Sequence, residues 1–249
     1  MLKTTVKVIF LLIIGKIMFK KIIFLIAILF SEQSMAIAVS SLFEVADQKT
    51  HTAEIQIQNN DNRDMFVNMS MLKVHYDNGK KIVEKLNKNN VKDWTFSVSP
   101  AQIILKPGER KNIRMMNHCK GKCEFDEDQI YAVDITPVPY NEGEKTAVAV
   151  AFGYRTYFLD PVALDKTKID YVLKRVSKNK FSFENRSNTM LNAVLNTCTK
   201  DYTANCIIEH RLLPNAKREY SFPKGHDDGS KQTFSVINAN EEVNEKVTL

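Results

Sequence analysis

The stretch His118 to Cys123, HCKGKC, gathers an imidazole and two thiols within six residues. Two chemistries use such a set: thiolate and imidazole ligation of a metal, or oxidation of the thiols to a disulfide. A structural zinc site needs four ligands and this stretch offers three. The other two cysteines, Cys198 and Cys206, form a second close pair. Four cysteines allow three connectivities, of which local pairing, Cys119 with Cys123 and Cys198 with Cys206, is the simplest. Each loop would be short, so its cross-link would contribute about 2–3 kcal/mol at most. No metal is assigned.

Little else in the chain suggests catalysis. The five histidines, at 51, 75, 118, 210 and 226, are scattered, with no helical ligand spacing. The sequence has no G-x-S-x-G, H-E-x-x-H or P-loop motif. Serines and aspartates are plentiful, but in an all-β chain they read as solvated loop residues rather than parts of a triad. Trp94 reads as a core or edge aromatic. The expectation is a protein that is not an enzyme and needs no cofactor.

The compartment comes from the N-terminus. Met18-Phe19-Lys20-Lys21 is a basic head, Ile22 to Phe30 a nine-residue apolar run, and Ser34-Met35-Ala36 a small-residue cleavage site. Together they read as a secretory signal peptide over residues 1–36, with Met18 a second candidate start. The apolar run is well short of the roughly 20 residues of a membrane-spanning helix, so no stable membrane insertion is expected after cleavage. The whole chain carries a net charge of +6; without residues 1–36, which hold five Lys and one Glu, it falls to +2. The basic balance is partly a targeting feature and gives no argument for nucleic acid. In an exported chain, paired cysteines favour disulfides over metal.

The segments that must position any site are short and alternating. Ala53 to Gln58, Met65 to Tyr76, Phe96 to Ser99, Gln102 to Leu105, Lys111 to Met116 and Ile130 to Ile135 read as strands, with a hairpin turn at Asp77-Asn78-Gly79. Lys81 to Val91 is polar and reads as a loop, at most a helical turn. About seven strands between Ala38 and Leu159, with turns every 8–12 residues or so, predict an immunoglobulin-like sandwich. After Asp160-Pro161, a break no central strand would carry, a shorter alternation runs through Tyr171 to Val176, Lys180 to Glu184, Met190 to Thr197 and Cys206 to His210 to a last one near Phe234-Ser235-Val236. The domains expected are 37–160 and a smaller sandwich, 161–249.

Thr146 to Pro161, TAVAVAFGYRTYFLDP, is unusual among these strands. By the period of two, Ala147, Ala149 and Ala151 take one face and Val148, Val150 and Phe152 the other. No charge interrupts it from Thr146 to Tyr154. Two readings fit: a central strand buried on both faces, or a long apolar edge that invites pairing with another chain.

Phe96 to Met116 (FSVSPAQIILKPGERKNIRMM), Tyr131 to Pro139 (YAVDITPVP), the strand ending TYFLDP (Thr156 to Pro161), Phe181 to Asn188 (FSFENRSN), the later Cys pair and Arg211 to Phe222 (RLLPNAKREYSF) resemble the periplasmic chaperones of the chaperone–usher pathway for pilus assembly. Order, spacing, signal peptide and length carry the resemblance; no single motif does. It implies two immunoglobulin-like β-sandwich domains in a boomerang arrangement. It also implies a periplasmic chaperone that binds pilus or fimbrial subunits, lends them its last first-domain strand (the G1 strand, donor-strand complementation) and delivers them to an outer-membrane usher. Val148, Val150 and Phe152 would fill the subunit groove. The family also anchors the subunit's C-terminal carboxylate with two basic residues, and Arg155 matches the one on the donor strand. The match fails at the other: Ile37 to Thr50 has no basic residue before Lys49, and the expected position falls near Leu42, Phe43 or Glu44. Arg114 and Lys49 are candidate substitutes. Self-association of the free form stays open. The alternatives are a secreted pilin or adhesin with tandem sandwiches, and a periplasmic enzyme or sugar-binding module with a pocket of converging polar groups.

Overall fold

A computed structural model describes residues 37–119, 123–140, 153–198 and 206–249. Residues 1–36, expected from the sequence to be a signal peptide, and the groove-filling candidates Val148, Val150 and Phe152 lie outside the described residues.

Alternation dictates strands, and the strands form four sheets. The first is β1 (Ile37–Val39), β3 (Thr52–Asn59), β8 (Arg110–Asn117) and β6 (Phe96–Ser99), in that order and antiparallel. The second runs β2 (Phe43–Val45), β10 (Tyr154–Asp160), β9 (Gln129–Pro139), β4 (Met65–Asp77) and β5 (Lys80–Lys85), and β7 (Gln102–Leu105) also pairs with β4. These two sheets close over one core. Ile55, Ile57, Ile113 and Met115 from the first meet Val67, Val133, Ile135 and Phe158 from the second. Phe96 stacks on Tyr131 at 4.5 Å and tilts against Phe158 at 5.1 Å. Each such ring removed from water contributes about 1.5–3 kcal/mol.

The third sheet is β11 (Tyr171–Ser177), β12 (Lys180–Asn185) and β15 (Lys217–Ser221). The fourth is β14 (Ile207–Leu212), β13 (Leu191–Asn196), β16 (Thr233–Asn238) and β17 (Asn244–Thr248). Their core centres on Phe181, whose ring lies 4.9 Å from both Phe222 and Phe234. The molecule is a two-domain, all-β, immunoglobulin-like fold, as the sequence predicts. One device recurs in both sandwiches: a buried asparagine at a strand's end, Asn59 or Asn185, donates to a loop carbonyl (Arg63 or Thr189) and to the carbonyl that ends another strand (Leu105 or Leu212), and accepts the N–H two residues on. It satisfies main-chain groups that would otherwise be buried unpaired.

The two faces of β4 and β9 are used differently. Met65, Val67 and Met69 point into the first core. Further along, Leu72 and Val74 point outward, and with Ile130, Ala132 and Leu159 they form a patch that Met190 and Ala239 of the second sandwich cover. Half-buried Phe43, Val45, Tyr157 and Leu213 pack around it. The near-continuous apolar pattern at the end of β10 follows, since both of its faces are covered.

Two elements differ from the sequence expectation. Lys81 to Val91 is neither a loop nor a helical turn throughout: β5 hydrogen-bonds to β4 as the second arm of the hairpin, and only Val91–Asp93 form a 3-10 turn. Asn78 and Gly79 both take positive φ, 50° and 76°, the conformation a two-residue hairpin turn requires. β5 is an edge strand with little burial on either face, so it carries no apolar alternation to read. The mostly exposed β17 was hidden for the same reason.

Candidate functional site

The margin of the second sheet is built from β10 and the first strand among the described residues. That strand is split. β1 pairs in the first sheet, and after Ser40-Ser41-Leu42 the chain crosses so that β2 lies parallel to β10. The parallel pairing spans only Tyr157 to Leu159 against Phe43 to Val45. Tyr157 N–H donates to the Leu42 carbonyl at 2.9 Å, and Ala46 N–H donates to the Leu159 carbonyl at 2.8 Å. The Thr156 hydroxyl donates to the Ser41 carbonyl at 3.0 Å. On its other side β10 pairs with β9 over all seven residues. Towards its start, at Tyr154 and Arg155, no strand among the described residues pairs with β10 on the side away from β9. By the two-residue period, the main-chain groups of Arg155 share the direction of those of Tyr157 and Leu159, towards that margin.

Gly153, the residue before β10, lies against β9. A Cβ there would sit 2.9 Å from the Ile135 carbonyl oxygen, closer than a methyl group tolerates. Only glycine lets the two backbones approach this closely.

Arg155 lies directly opposite Asp134 on β9. Its Nε and Nη2 donate to the two carboxylate oxygens at 2.6 and 2.8 Å. Both side chains are more than one-third exposed, at 40% and 34%. The bond from Asp134 pushes the guanidinium pKa further up, so Arg155 is a permanent cation. Its planar fork fits a carboxylate, and a carboxylate already occupies it.

At the expected place of the second anchor stands Phe43, which borders a groove of about 250 Å³ with Tyr157, Lys81, Arg211 and Arg218. Lys81 donates to the Tyr157 hydroxyl, and the Arg211 guanidinium lies 5.2 Å from the centre of the Phe43 ring. Arg114 sits on β8 of the other sheet and Lys49 in the turn after Asp47, and neither borders this groove. The three cations come from β5, β14 and β15 and are far apart in sequence, so no local motif announces them.

Two buried carboxylates were also missed. Asp160, at the end of β10, is fully buried; it takes the His51 Nδ1 at 2.9 and 3.0 Å and the Asn117 amide at 2.8 Å. Burial raises its pKa, and the bonds from His51 and Asn117 oppose the rise. Asp128 accepts the N–H groups of Val162 at 2.9 Å and Met190 at 2.6 Å and the Thr189 hydroxyl at 3.1 Å, tying the first sandwich to the linker and to the second. Burial pushes Asp128 up to about 6 against those bonds, with the Asp160 charge adding to the rise.

Both local disulfides are formed: Cys119 with Cys123 and Cys198 with Cys206. His118, next to the first pair in sequence, turns away and shares a hydrogen bond with Ser97. The imidazole beside that disulfide is His51.

Solved structures of other proteins share this fold. The chain matches the class 5 fimbriae chaperone CfaA with a TM-score of 0.52 at 12% identity, over 86% of this chain and 97% of that one. It matches the periplasmic chaperone SfaE at 0.51 and 13%, over 86% and 98%. A chain of the CsuC–CsuE chaperone–tip adhesin complex, from archaic chaperone–usher pili of Acinetobacter baumannii, matches at 0.52 and 12%, over 86% and 97%. The structural neighbours are pilus chaperones of the chaperone–usher pathway, and what they share with this chain is the two-domain fold. At the level of sequence, residues 39–161 match the family described as CS5 fimbrial protein N-terminal domain. An uncharacterized 25.9 kDa protein in the CS5 3' region of Escherichia coli is 23% identical over 150 residues, 60% of this chain; the match spans 65% of that relative's length.

Proposed function

We propose that this chain is a periplasmic chaperone that holds pilus or fimbrial subunits by strand donation and delivers them to an outer-membrane usher. In this reading residues 1–36 export it, 37–160 form the donor domain and 161–249 the second domain. The observation that carries it is the margin of β10, where β2 covers only Tyr157 to Leu159. A short partner strand beside a longer apolar segment leaves room for a foreign strand to add to the sheet. Val148, Val150 and Phe152 would fill the subunit groove, contributing roughly 5–8 kcal/mol before ordering costs. Arg155 would exchange Asp134 for the subunit's terminal carboxylate. The work is binding and handover, with no catalytic step and no cofactor.

The test is co-expression with candidate subunits and recovery of the complex from the periplasm. Val150→Asp should fold as the wild type does and lose the subunit. A mutant that retains normal subunit recovery sinks strand donation. The description of the matching family as a fimbrial protein domain favours a second reading, a structural subunit of the fibre itself. Purified fibres containing this chain would establish that reading instead.

A further inference from the structure

The first disulfide has a third potential metal donor, an imidazole, beside it. The ligand atoms of His51, Cys119 and Cys123 all lie within 4.8 Å of one another. The His51 ring is held in place through its Nδ1 by both oxygens of buried Asp160. An ionised Asp160 draws the ring proton to Nδ1 and leaves the lone pair on Nε2, the arrangement of a carboxylate-supported metal-binding histidine. Asn117 braces the same cluster, donating to Asp160 at 2.8 Å and accepting the Cys119 N–H at 3.2 Å. Both His51 and Cys119 are held at positive φ, 53° and 51°. Side chains seldom adopt that backbone conformation without surrounding structure to impose it. The His51 carbonyl accepts the Asn117 N–H, so the ends of β3 and β8 fix these residues whether or not the sulfurs are joined.

We infer that His51, Cys119 and Cys123 form a redox-gated site for a thiophilic d10 cation, Zn2+ or Cu+, empty in the disulfide form and available in the dithiol form. A protein or small-molecule dithiol supplies the two electrons and two protons that convert the disulfide to two thiols and becomes a disulfide itself. The incoming cation displaces both thiol protons, so uptake strengthens as pH rises. Two thiolates and one imidazole suit trigonal Cu+, or an open zinc site whose fourth ligand is water. Tetrahedral zinc with Zn–S of about 2.3 Å and Zn–N of about 2.0 Å sets its donors roughly 3.5 Å apart. The three donors already lie within 4.8 Å of one another, and parting the two sulfurs on reduction opens room for the ion between them and the ring. His118, the neighbour in sequence, is not among the donors that gather within 4.8 Å; its Nε2 shares a hydrogen bond with Ser97.

The test uses the full chain as exported, in a Cys198→Ser/Cys206→Ser background so that only one pair responds. After reduction with a phosphine that does not bind the metal, Zn2+ is titrated against a chromophoric chelator, and Cu+ likewise under anaerobic conditions. The expected result is one tightly held ion per chain in the reduced form and none in the oxidised form. Asp160→Asn, which removes the support of the ring, should weaken binding about 10- to 100-fold. His51→Gln should weaken it at least as much, with the near-ultraviolet circular dichroism of the oxidised protein unchanged. Should the double background fail to fold, wild type and Cys119→Ser/Cys123→Ser are compared directly. Equal uptake by chains with and without Cys119 and Cys123, or full affinity in His51→Gln, overturns the site. Tight Cu+ with weak Zn2+ assigns the trigonal form, and the reverse assigns the open zinc form. The titration involves no subunit, so it stands or falls apart from the chaperone reading.

Discussion

Arg155 on β10 and Asp134 on β9 are register partners, and the guanidinium grips both carboxylate oxygens, at 2.6 and 2.8 Å. Exposed pairs of this kind contribute little stability, about 0–1 kcal/mol. In the chaperone reading the pair is a parked binding group: a cation held by a carboxylate that an incoming carboxylate would replace. Arg155→Ala should leave the denaturation midpoint nearly unchanged and weaken subunit retention by roughly tenfold, the loss of one charge-assisted contact. Asp134→Ala should leave retention intact or tighten it, because the competitor is gone. Co-purification of subunit with each variant reads both effects. Full retention in Arg155→Ala removes Arg155 from the binding surface.

Asp128 predicts a pH dependence of stability. Its folded-state pKa is raised to about 6 from an ordinary 3.8, chiefly by burial. Between those values the unfolded chain has released the proton that the folded chain keeps. The stabilisation is therefore complete below 3.8 and is lost as pH rises through about 6, at about 1.4 kcal/mol per pKa unit of displacement. Asp128→Asn cannot ionise and should lack this slope. It should also cost about 1–3 kcal/mol, because its amide nitrogen would face the Val162 N–H or the Met190 N–H, both donors. Urea denaturation of both proteins at about pH 4 and about pH 7 checks the slope and the offset. Parallel pH profiles would place the titration elsewhere.

What the sequence discloses and what it conceals follow from how far apart the interacting parts lie. The Asp77-Asn78-Gly79 turn and the strands that bury one face announce themselves within ten residues, and so do the two cysteine pairs. β5 does not, because an edge strand with no buried face has no pattern to show. The cations around Phe43 come from three distant strands, and the partners of Asp160 lie 109 and 43 residues away. No local spacing rule reaches that far. His118 misleads for the same reason: proximity in sequence to Cys119 nominates it, and the chain path delivers His51 instead. In the stretch from Thr146 to Pro161 the sequence shows two apolar faces, and only its part from Gly153 onward lies among the described residues. At its C-terminal end, the second face proves to be that of Leu159, covered by Met190 and Ala239 of the second sandwich.

Gly153 gives the sharpest steric prediction. An alanine there would bring its Cβ to 2.9 Å from the Ile135 carbonyl oxygen, a main-chain atom that cannot swing aside. Either β10 moves off β9 at its first pair, Tyr154 with Ile135, or β9 bends. Overpacking of this kind costs about 1–3 kcal/mol. The displaced segment follows Val148, Val150 and Phe152 in the chain, so if these residues fill a subunit groove as proposed, their presentation should change with it. Gly153→Ala should lower the midpoint of thermal unfolding and reduce subunit retention. Gly108→Ala is the control: it lies at φ 76° with open space around it, and should cost stability through backbone strain while leaving retention alone. Hydrogen exchange at the Tyr154 and Ile135 amides separates the two variants, rising in the first and not in the second. An alanine at 153 with wild-type stability and wild-type exchange would mean that the close approach of these two strands does not set the geometry of the margin.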